Sequence, residues 1–373
     1  MIKLSQPIIS DEAIKAVSEV LKSGMLVQGR YVELFEKRLS DYIGAAYTVA
    51  VSSGTAALHV SLAALGISEG DAVFVPAFTF PATVNVVELQ RARPILVDVE
   101  INTYNIDPIK LEQTIKDYKG TEKPKAIIVV HEFGAPANMT EIMKIAKRYD
   151  LYVIEDAACA LGTKWNGKHV GTFGDAGCFS FHPRKAITTG EGGVVVVKDE
   201  VLFKKVSLLR NHGIERNPDG RVDFMLPGFN YRLTDFQAIL GVFQLEEFDK
   251  YLKLRKEYVN KYYNRLRYQP NIRLPKRIKE HAWQTFMIIL SSDIDRNQVI
   301  KKMRNSGIET NLGAQAIHLL GYYKRKYKFK NSDYPISKIL YDKGLALPLH
   351  PNLDDAIVGK INDSLIKSLK QGV

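Results

Sequence analysis

Lys185 has the sequence surroundings that most specifically indicate chemistry. It follows an apolar strand pattern at 177–181 and precedes a glycine-rich turn, 190–193, that leads into another apolar strand pattern. A lysine in such a place points into a cleft rather than along an exposed helix, and amines in clefts form Schiff bases with carbonyl compounds. The alternative is a loop lysine in water, which is common for any single lysine.

Two further residues follow strand patterns and could hold an aromatic cofactor. Asp156 ends an apolar run and precedes two alanines. Its carboxylate either caps the next segment or pairs with a protonated pyridine nitrogen, holding the positive charge that makes such a ring an electron sink. Phe80 either packs in the core or stacks on the same ring.

A phosphate-binding turn is indicated by the run Ser53-Gly54-Thr55-Ala56. These residues follow one strand pattern and open a helical pattern. The free N–H groups at the start of a helix bind anions, and the helix dipole supports them. Glycine lets the backbone approach a ligand closely, and the Thr55 hydroxyl adds a donor. An ordinary helix cap is the alternative, because Ser and Thr commonly cap helices.

The order of strand and helix patterns predicts an α/β domain with a mostly parallel, seven-stranded sheet. Strand patterns lie at 48–51, 72–75, 94–99, 126–130, 151–154, 177–181 and 194–197. Helical patterns lie at 55–65, 83–91, 108–118 and 139–149, between most of the strands. Several of the strands are apolar on both faces, as buried parallel strands are.

Open parallel sheets bind ligands at the carboxyl ends of their strands. Five polar or aromatic clusters occupy those ends here, at 52–55, 78–80, 131–132, 155–156 and 180–185. Because these ends meet at one edge of the sheet, the five clusters predict a pocket there.

The second half of the chain predicts a smaller α+β domain. Helical patterns occur from 199 to about 210, at 234–267, 295–305 and 354–370, with a polar loop at 211–221 and a strand at 285–290. We therefore expect a large α/β domain with an N-terminal arm at 1–245 and a small domain at 246–373.

The composition narrows the class of protein. The 373 residues include 52 Lys and Arg against 41 Asp and Glu, a net charge of +11. The basic, tyrosine-containing run at 322–330 has no recognition-helix, zinc-finger or RNP pattern with it, so we expect a solvated face and no nucleic-acid partner. No apolar stretch reaches the roughly 18 residues of a membrane helix, no secretion signal is visible, and the two cysteines form no CxxC pair. These features predict a cytoplasmic protein with no membrane partner.

Two other patterns predict no function. The run 162–168 matches GxxxxGK, but His169 stands where a P-loop needs Ser or Thr, so a hairpin is expected there. His318 and His350 have no partners at the spacing of metal ligands, so we expect no metal site.

Taken together, these motifs resemble the nucleotide-sugar aminotransferases of the DegT/StrS type, which are pyridoxal-phosphate (PLP) enzymes of fold type I. The similarity begins at Gly29 and Phe35-Glu36. It continues through VSSGTAAL (51–58), PAFTFPAT (76–83), VIEDAA (153–158), SFHPRKAITTGEGG (180–193) and GFNYRLTD (228–235). Several motifs in one order make the resemblance specific over nearly the whole chain.

The resemblance implies a role for each motif. Lys185 would carry PLP as a Schiff base, Asp156 would pair with the pyridinium nitrogen, and Phe80 would stack on the ring. The phosphate would be held at the Ser53 turn by Gly54, Thr55, Ala56 and Ser180. Asn230 would reach that phosphate from the partner subunit, in a homodimer with shared active sites.

Position 159 departs from the family pattern. Many relatives have Gln or His there, in contact with the phenolic oxygen of the cofactor, whereas this chain has Cys159. A thiol is a weak donor, so the absorbance spectrum of the bound cofactor is expected to differ. Relatives that are dehydratases carry His in place of the lysine, so Lys185 favours transamination.

The function implied is transamination of a nucleotide-linked keto-sugar, with L-glutamate as amino donor and the cofactor alternating between PLP and pyridoxamine phosphate (PMP). The 187–193 segment is closer to relatives that act on 4-keto-6-deoxy sugars. The substrate contacts are expected to include His182, Arg184 and His318. Two alternatives are an aminotransferase acting on a cyclitol or another non-nucleotide ketone, and a PLP-holding regulatory protein without turnover.

Overall fold

The elements below come from a computed structural model, which describes residues 1–217 and 219–370 of the chain. The helices are α1 (Asp11–Ser23), α2 (Arg30–Ile43), α3 (Gly54–Ala64), α4 (Ala82–Leu89), α5 (Pro108–Asp117), α6 (Met139–Arg148), α7 (Glu200–Arg210), α8 (Asp235–Glu246), α9 (Phe248–Leu266), α10 (Arg296–Asn305), α11 (Gly321–Tyr327), α12 (Pro335–Lys343) and α13 (Asp355–Leu369). The strands are β1 (Tyr47–Val51), β2 (Asp71–Pro76), β3 (Phe78–Thr79), β4 (Arg93–Val97), β5 (Lys123–Val130), β6 (Tyr152–Asp156), β7 (Lys164–Trp165), β8 (Lys168–His169), β9 (Ala176–Ser180), β10 (Gly193–Val197), β11 (Ile214–Arg216), β12 (Val222–Phe224), β13 (Ile272–Arg273), β14 (Phe286–Leu290), β15 (Gln315–Ala316) and β16 (Gly344–Leu347).

The central sheet has seven strands in the order β1-β10-β9-β6-β5-β2-β4. Strands β4, β2, β5, β6 and β9 pair in parallel, whereas β10 is antiparallel to both of its neighbours. The mostly parallel α/β fold is therefore confirmed. The strands are Val- and Ile-rich and buried on both faces, which matches a sheet covered by helices on each side.

The carboxyl ends of β1, β6 and β9 meet the start of β10 at one edge of the sheet. In the ladder of β10, Gly193 lies opposite both Val51 and Ser180. A Cβ at Gly193 would come 2.4 Å from the carbonyl oxygen of Ser53, so only glycine lets the turn after β1 pack there. This close approach brings the motifs at 51–58 and 180–193 to one place.

One predicted helix is two helices in the structure. The pattern at 234–267 suggested a continuous helix, but α8 ends before Glu247 and α9 begins at Phe248. Thr234 and Gln237 form a capping box at the start of α8. No glycine or proline marks the break, and Glu247 keeps helix-like angles (φ −90°, ψ −2°), so the residue pattern gave no signal for it.

The C-terminal region contains a three-stranded antiparallel sheet, β13-β14-β16. Its apolar core includes buried residues of α9, α10 and α13. The first residues of the chain join this region, because Ile2 bridges to Ile308. The domain division at residue 245 stays a prediction. The last residues of the predicted small domain, 371–373, lie outside the described part of the chain.

Two smaller expectations can be compared with the structure. The GxxxxGK run forms the hairpin of β7 and β8, so the hairpin prediction is confirmed. The basic run lies largely on α11, where Tyr323 is buried and Lys326 contacts Glu88. Among the helices described, none combines the length and the apolar character needed to cross a membrane.

Candidate active site

A cavity of about 620 Å³ opens at the carboxyl edge of the central sheet. Ten of the residues expected at the site line it: Ser53, Gly54, Thr55, Phe80, Asp156, Cys159, Ser180, His182, Arg184 and Lys185. They come from the ends of separate strands and from the segment after β9, so the predicted pocket along this edge is present.

The start of α3 forms a turn in this cavity that we name the anion-binding turn, because its free N–H groups suit an anion. Gly54 and Thr55 occupy the first two positions of the helix, where N–H groups have no acceptor within the helix. A Cβ at Gly54 would lie 2.7 Å from the Cβ of Ser180, so glycine permits the turn and β9 to approach closely. The Ser180 hydroxyl is thereby placed beside the free N–H groups.

Ala56 is placed differently from the expectation. Its N–H donates to the hydroxyl of Ser53 at 3.0 Å, and the residue does not line the cavity. Sequence analysis gave a helix cap as the alternative for residues 53–56. The Ser53 cap is thus present together with the anion-binding turn. Gly54 and Thr55 carry the N–H groups left for a phosphate.

The amine of Lys185 points inward from the segment after β9. Its backbone N–H donates to the carbonyl of His182 at 2.8 Å, and its side-chain nitrogen lies 3.1 Å from the sulfur of Cys159. Burial lowers the pKa of Lys185, but Cys159, Asp156 and Glu132 raise it, and the net shift is upward. The amine is therefore held among acidic groups at the cavity wall.

Asp156 ends β6 with its carboxylate fixed in the cavity wall. One oxygen accepts a hydrogen bond from the Thr83 hydroxyl at 2.8 Å, and the other accepts from the N–H of Ala158 at 3.2 Å. The Thr83 oxygen also lies 3.0 Å from that of Thr79. Burial raises the pKa of Asp156, while the Thr83 and Ala158 hydrogen bonds oppose that rise.

Phe80 leaves an apolar ring at the cavity wall. Its exposed fraction is 69%, whereas nearby Phe78 is fully buried. An aromatic ring left open beside a carboxylate and an amine fits a planar ring stacked on it. With the anion-binding turn, these residues fit PLP: Phe80 for the ring, Asp156 for the pyridine nitrogen, Lys185 for the aldehyde carbon, and Gly54 and Thr55 for the phosphate.

Two of the polar residues expected at the rim instead hold the scaffold together. His131 and Glu155 are fully buried, with a ring nitrogen 3.0 Å from a carboxylate oxygen. Glu155 also accepts from the N–H groups of Gly171, Phe173 and Gly174. These bonds and His131 lower its pKa despite the burial, which acts the other way. Of the 131–132 pair, Glu132 is the member that lines the cavity.

His318 cannot contact a substrate in this structure, which corrects the expectation for it. The side chain is fully buried, packs with its ring centroid 5.1 Å from that of Tyr334, and lies outside the cavity. Burial lowers its pKa, so the ring is neutral and belongs to the core. His182 and Arg184, the other two expected contacts, both line the cavity.

Asn230 is exposed and does not line the cavity of its own chain. Its expected role across a dimer therefore stays a prediction.

Several cavity residues were missed by the sequence reasoning. They come from distant parts of the chain and include Leu4, Ser5, Gln284, Thr285 and Asn311. Each is an ordinary polar or apolar residue with no local motif, so only the folded chain brings them to the site. Across residues 1–217 and 219–370, no group of three or more His, Cys, Asp or Glu side chains is arranged to hold a metal ion.

Comparison with known proteins gives the same picture. The model of the DegT/DnrJ/EryC1/StrS aminotransferase family matches residues 7–366. GDP-perosamine synthase from Caulobacter vibrioides is 37% identical over 341 residues, covering 89% of this chain and 88% of that protein.

Solved structures agree with these matches. Helicobacter pylori PseC, an aminotransferase involved in the biosynthesis of pseudoaminic acid, has a TM-score of 0.92 at 27% identity, with 98% of each chain covered. Spr1654 from Streptococcus pneumoniae in its PMP form has a TM-score of 0.91 at 28% identity, with 98% of each chain covered, and it has also been solved in a PLP form. This chain belongs to the DegT/DnrJ/EryC1/StrS aminotransferase family and is a PLP-dependent transaminase.

Proposed function

We propose that this protein transfers an amino group from L-glutamate to a nucleotide-linked keto-sugar of the 4-keto-6-deoxy type, giving an amino sugar for surface polysaccharide or glycan synthesis. The observation that carries the proposal is the convergence of Lys185, Asp156 and the anion-binding turn of α3 in one cavity. Support for the sugar comes from the name of a relative, GDP-perosamine synthase, at 37% identity.

The residues that would hold the cofactor each have a task in this reaction. PLP, when bound, supplies an electron sink for the negative charge that develops at the α-carbon of the amino donor. Asp156 keeps a proton on the pyridine nitrogen, held in place by Thr83. The side-chain nitrogen of Lys185 is the base that takes the proton from the donor α-carbon. Gly54, Thr55 and Ser180 would hold the phosphate of PLP in the cavity that Lys185 also lines.

Recognition of the second substrate would use other residues in the cavity lining. His182 and Arg184 lie there, and both can donate to the anionic diphosphate of a nucleotide sugar. Gln284 donates to the backbone carbonyl of Arg184 at 2.6 Å, which fixes that segment. The net positive charge of the chain, +11, would also attract such an anion.

The test is a conversion assay with the PLP-loaded protein. L-Glutamate is supplied together with one ketone at a time: GDP-, UDP- or dTDP-linked 4-keto-6-deoxy sugars, matching 3-keto sugars, and a cyclitol ketone. We expect an amino sugar, detected by mass spectrometry, and one 2-oxoglutarate for each amino sugar formed. The Lys185→Ala protein serves as the inactive control.

Two results would contradict the proposal. If the protein converts the cyclitol ketone and none of the nucleotide sugars, the substrate belongs to a different class. A bound-cofactor spectrum that no amino donor changes would favour a regulatory protein without turnover.

The proposal includes a cytoplasmic homodimer in which each subunit completes the site of the other. Support for a covered surface comes from the hairpin of β11 and β12, whose apolar side chains are exposed: Val222 (46%), Phe224 (64%) and neighbouring Met225 (56%). The hairpin immediately precedes the motif that contains Asn230. A second copy of the chain is the partner that would cover these side chains.

A further inference from the structure

Glu132 is a buried acid in the cavity wall that the proposed reaction does not use. The residue is 4% exposed, and its oxygen Oε2 has no hydrogen-bond partner within the described part of the chain. Buried polar atoms are almost always paired, because leaving one unpaired destabilises the fold. An unpaired carboxyl oxygen at this place indicates a group kept for chemistry rather than for packing.

The backbone holds Glu132 rigidly in this position. Its N–H donates to the side-chain oxygen of Asn105 at 2.8 Å, and the amide nitrogen of Asn105 donates to the carbonyl of Ala135 at 3.1 Å. Ala135 in turn donates its N–H to the carbonyl of Glu132 at 2.9 Å. The next residue, Phe133, adopts a left-handed φ of 56°. The tight turn after β5 is therefore fixed, while Oε2 of Glu132 has no partner among the described residues.

Three titratable side chains line the same cavity as this acid: Asp156, Cys159 and Lys185. Each of them interacts with Glu132 through charge. Burial, with the negative charge of Asp156, raises the pKa of Glu132 to about 8, although Lys185 acts against the rise. The cavity is also lined by His182, Arg184 and Glu191. At neutral pH Glu132 thus carries a proton and can release it within the working range of an enzyme.

We propose that Glu132 tunes the reactive lysine of this transaminase: its buried carboxyl group in the cavity wall sets the proton affinity of the Lys185 nitrogen. The inference rests on the proposed function only in that Lys185 binds PLP. When Glu132 is ionised, its charge stabilises a cation on that nitrogen; when it is protonated, the stabilisation is absent. Glu132 is a positioning residue in this scheme, because it acts through Lys185.

The neighbouring Cys159 does not supply a negative charge at the Lys185 nitrogen, so a carboxyl group is needed for that role. The thiol lies 3.1 Å from the Lys185 nitrogen but is a weak hydrogen-bond donor and acceptor. Burial raises its pKa, so it is neutral at the pH where Glu132 titrates. The negative charge near the Lys185 nitrogen must then come from the carboxyl groups of Asp156 and Glu132. Asp156 accepts hydrogen bonds from Thr83 and Ala158, whereas Oε2 of Glu132 has no partner within the described part of the chain.

The experiment is a pH titration of the visible absorbance band of bound PLP, in the absence of any substrate. Wild type is compared with Glu132→Gln, which keeps the shape but cannot ionise. We expect the midpoint at which the band is lost to fall by about one pH unit in the variant, because a nearby negative charge has been removed. Glu132→Asp, which keeps the acid, should restore part of the shift.

A matched control is Glu191→Gln, the same change at an exposed carboxylate of the cavity, whose side chain is 61% exposed. Solvent screens this charge, so the midpoint should stay at the wild-type value. An unchanged midpoint in Glu132→Gln would overturn the inference. The titration needs only bound PLP and no substrate. The inference about Glu132 can therefore be tested even if the sugar assay fails.

A second measurement covers the case in which Glu132→Gln does not bind PLP. Wild-type holoenzyme labelled with ¹³C at glutamate carboxyl groups is followed by infrared difference spectroscopy over the same titration. A protonated glutamate band that disappears in the pH range where the visible band is lost supports the inference. Loss of the visible band without any change in the labelled carboxyl groups overturns it.

Discussion

The side-chain nitrogen of Lys185 and the sulfur of Cys159 lie 3.1 Å apart, although the residues are 26 positions apart in the chain. The contact exists because β6 and β9 are parallel neighbours, so the segments that follow them meet at the same edge of the sheet. Burial raises the pKa of Cys159 and the charge of Lys185 opposes this rise. The reactive amine is thus held by a neutral thiol.

Replacing Lys185 by alanine should abolish turnover and remove the covalent link to the cofactor. In wild type, borohydride reduction should attach PLP irreversibly to one peptide, and mass spectrometry should place it at Lys185. The variant should bind PLP only through the phosphate turn and Asp156, and dialysis should remove it. Lys204→Ala, at a surface position on α7, is the control and should keep both the adduct and the activity. An adduct at any other lysine would contradict the assignment.

Cys159 should be the cysteine that reports occupancy of the site. It is half-buried and lines the cavity, whereas Cys178 is buried in the core. We expect a small alkylating reagent to modify Cys159 in cofactor-free protein, faster as the pH rises, because the thiolate is the reactive form. PLP should protect it, as peptide mass spectrometry would show. Modification of Cys159 at equal rates with and without PLP would place the cofactor elsewhere.

Gly54→Ala should weaken PLP binding without unfolding the protein. The new Cβ would lie 2.7 Å from the Cβ of Ser180, and such overpacking costs about 1–3 kcal/mol. Because Gly54 belongs to the anion-binding turn, this cost should lower the PLP affinity roughly tenfold. The measurement is the dissociation constant from the visible band.

The matched control for that change is Gly359→Ala. Gly359 lies in α13, where a new Cβ meets nothing within 4 Å. The substitution should leave PLP affinity unchanged and, by helix propensity, add up to about 1 kcal/mol of stability. Equal PLP affinities for the two variants would show that the Gly54 turn does not hold the phosphate.

The sequence predicted those parts of the site that local motifs encode. Lys185, Asp156 and the turn at Gly54 each stand at the end of an apolar strand pattern, and parallel strands bring such ends together. The hairpin at 162–168 was also predicted from the sequence. A P-loop needs a hydroxyl where His169 stands, so the glycines of this run were expected to form a turn instead. In each case, the residues next to the position in sequence were enough to predict its place in the fold.

Other features depend on tertiary packing and left no local signal. His131 and Glu155 follow strands just as Asp156 does, yet their side chains point into the scaffold and bind each other. His318 occupies a core position that only the packing of Tyr334 reveals. The unpaired state of Glu132 is a property of its surroundings, so no pattern of residues could have indicated it.

Mixing two inactive variants should test the shared active site. Lys185→Ala lacks the amine, and Asn230→Asp places a negative charge where the phosphate of the neighbouring subunit is expected. In a mixed dimer, one site combines the intact Lys185 of one chain with the intact Asn230 of the other. Random mixing in equal amounts makes half of the dimers mixed, so about a quarter of the wild-type activity should return.

The subunits must exchange for that result, so the variants are co-expressed with different affinity tags and the doubly tagged dimers are purified. Light scattering should give twice the 42.0 kDa mass of the chain. Since each mixed dimer has one intact site, its specific activity should be about half that of wild type. Mixed dimers as inactive as their parents would mean that each chain builds its site alone, and full activity of Asn230→Asp by itself would remove Asn230 from the phosphate site.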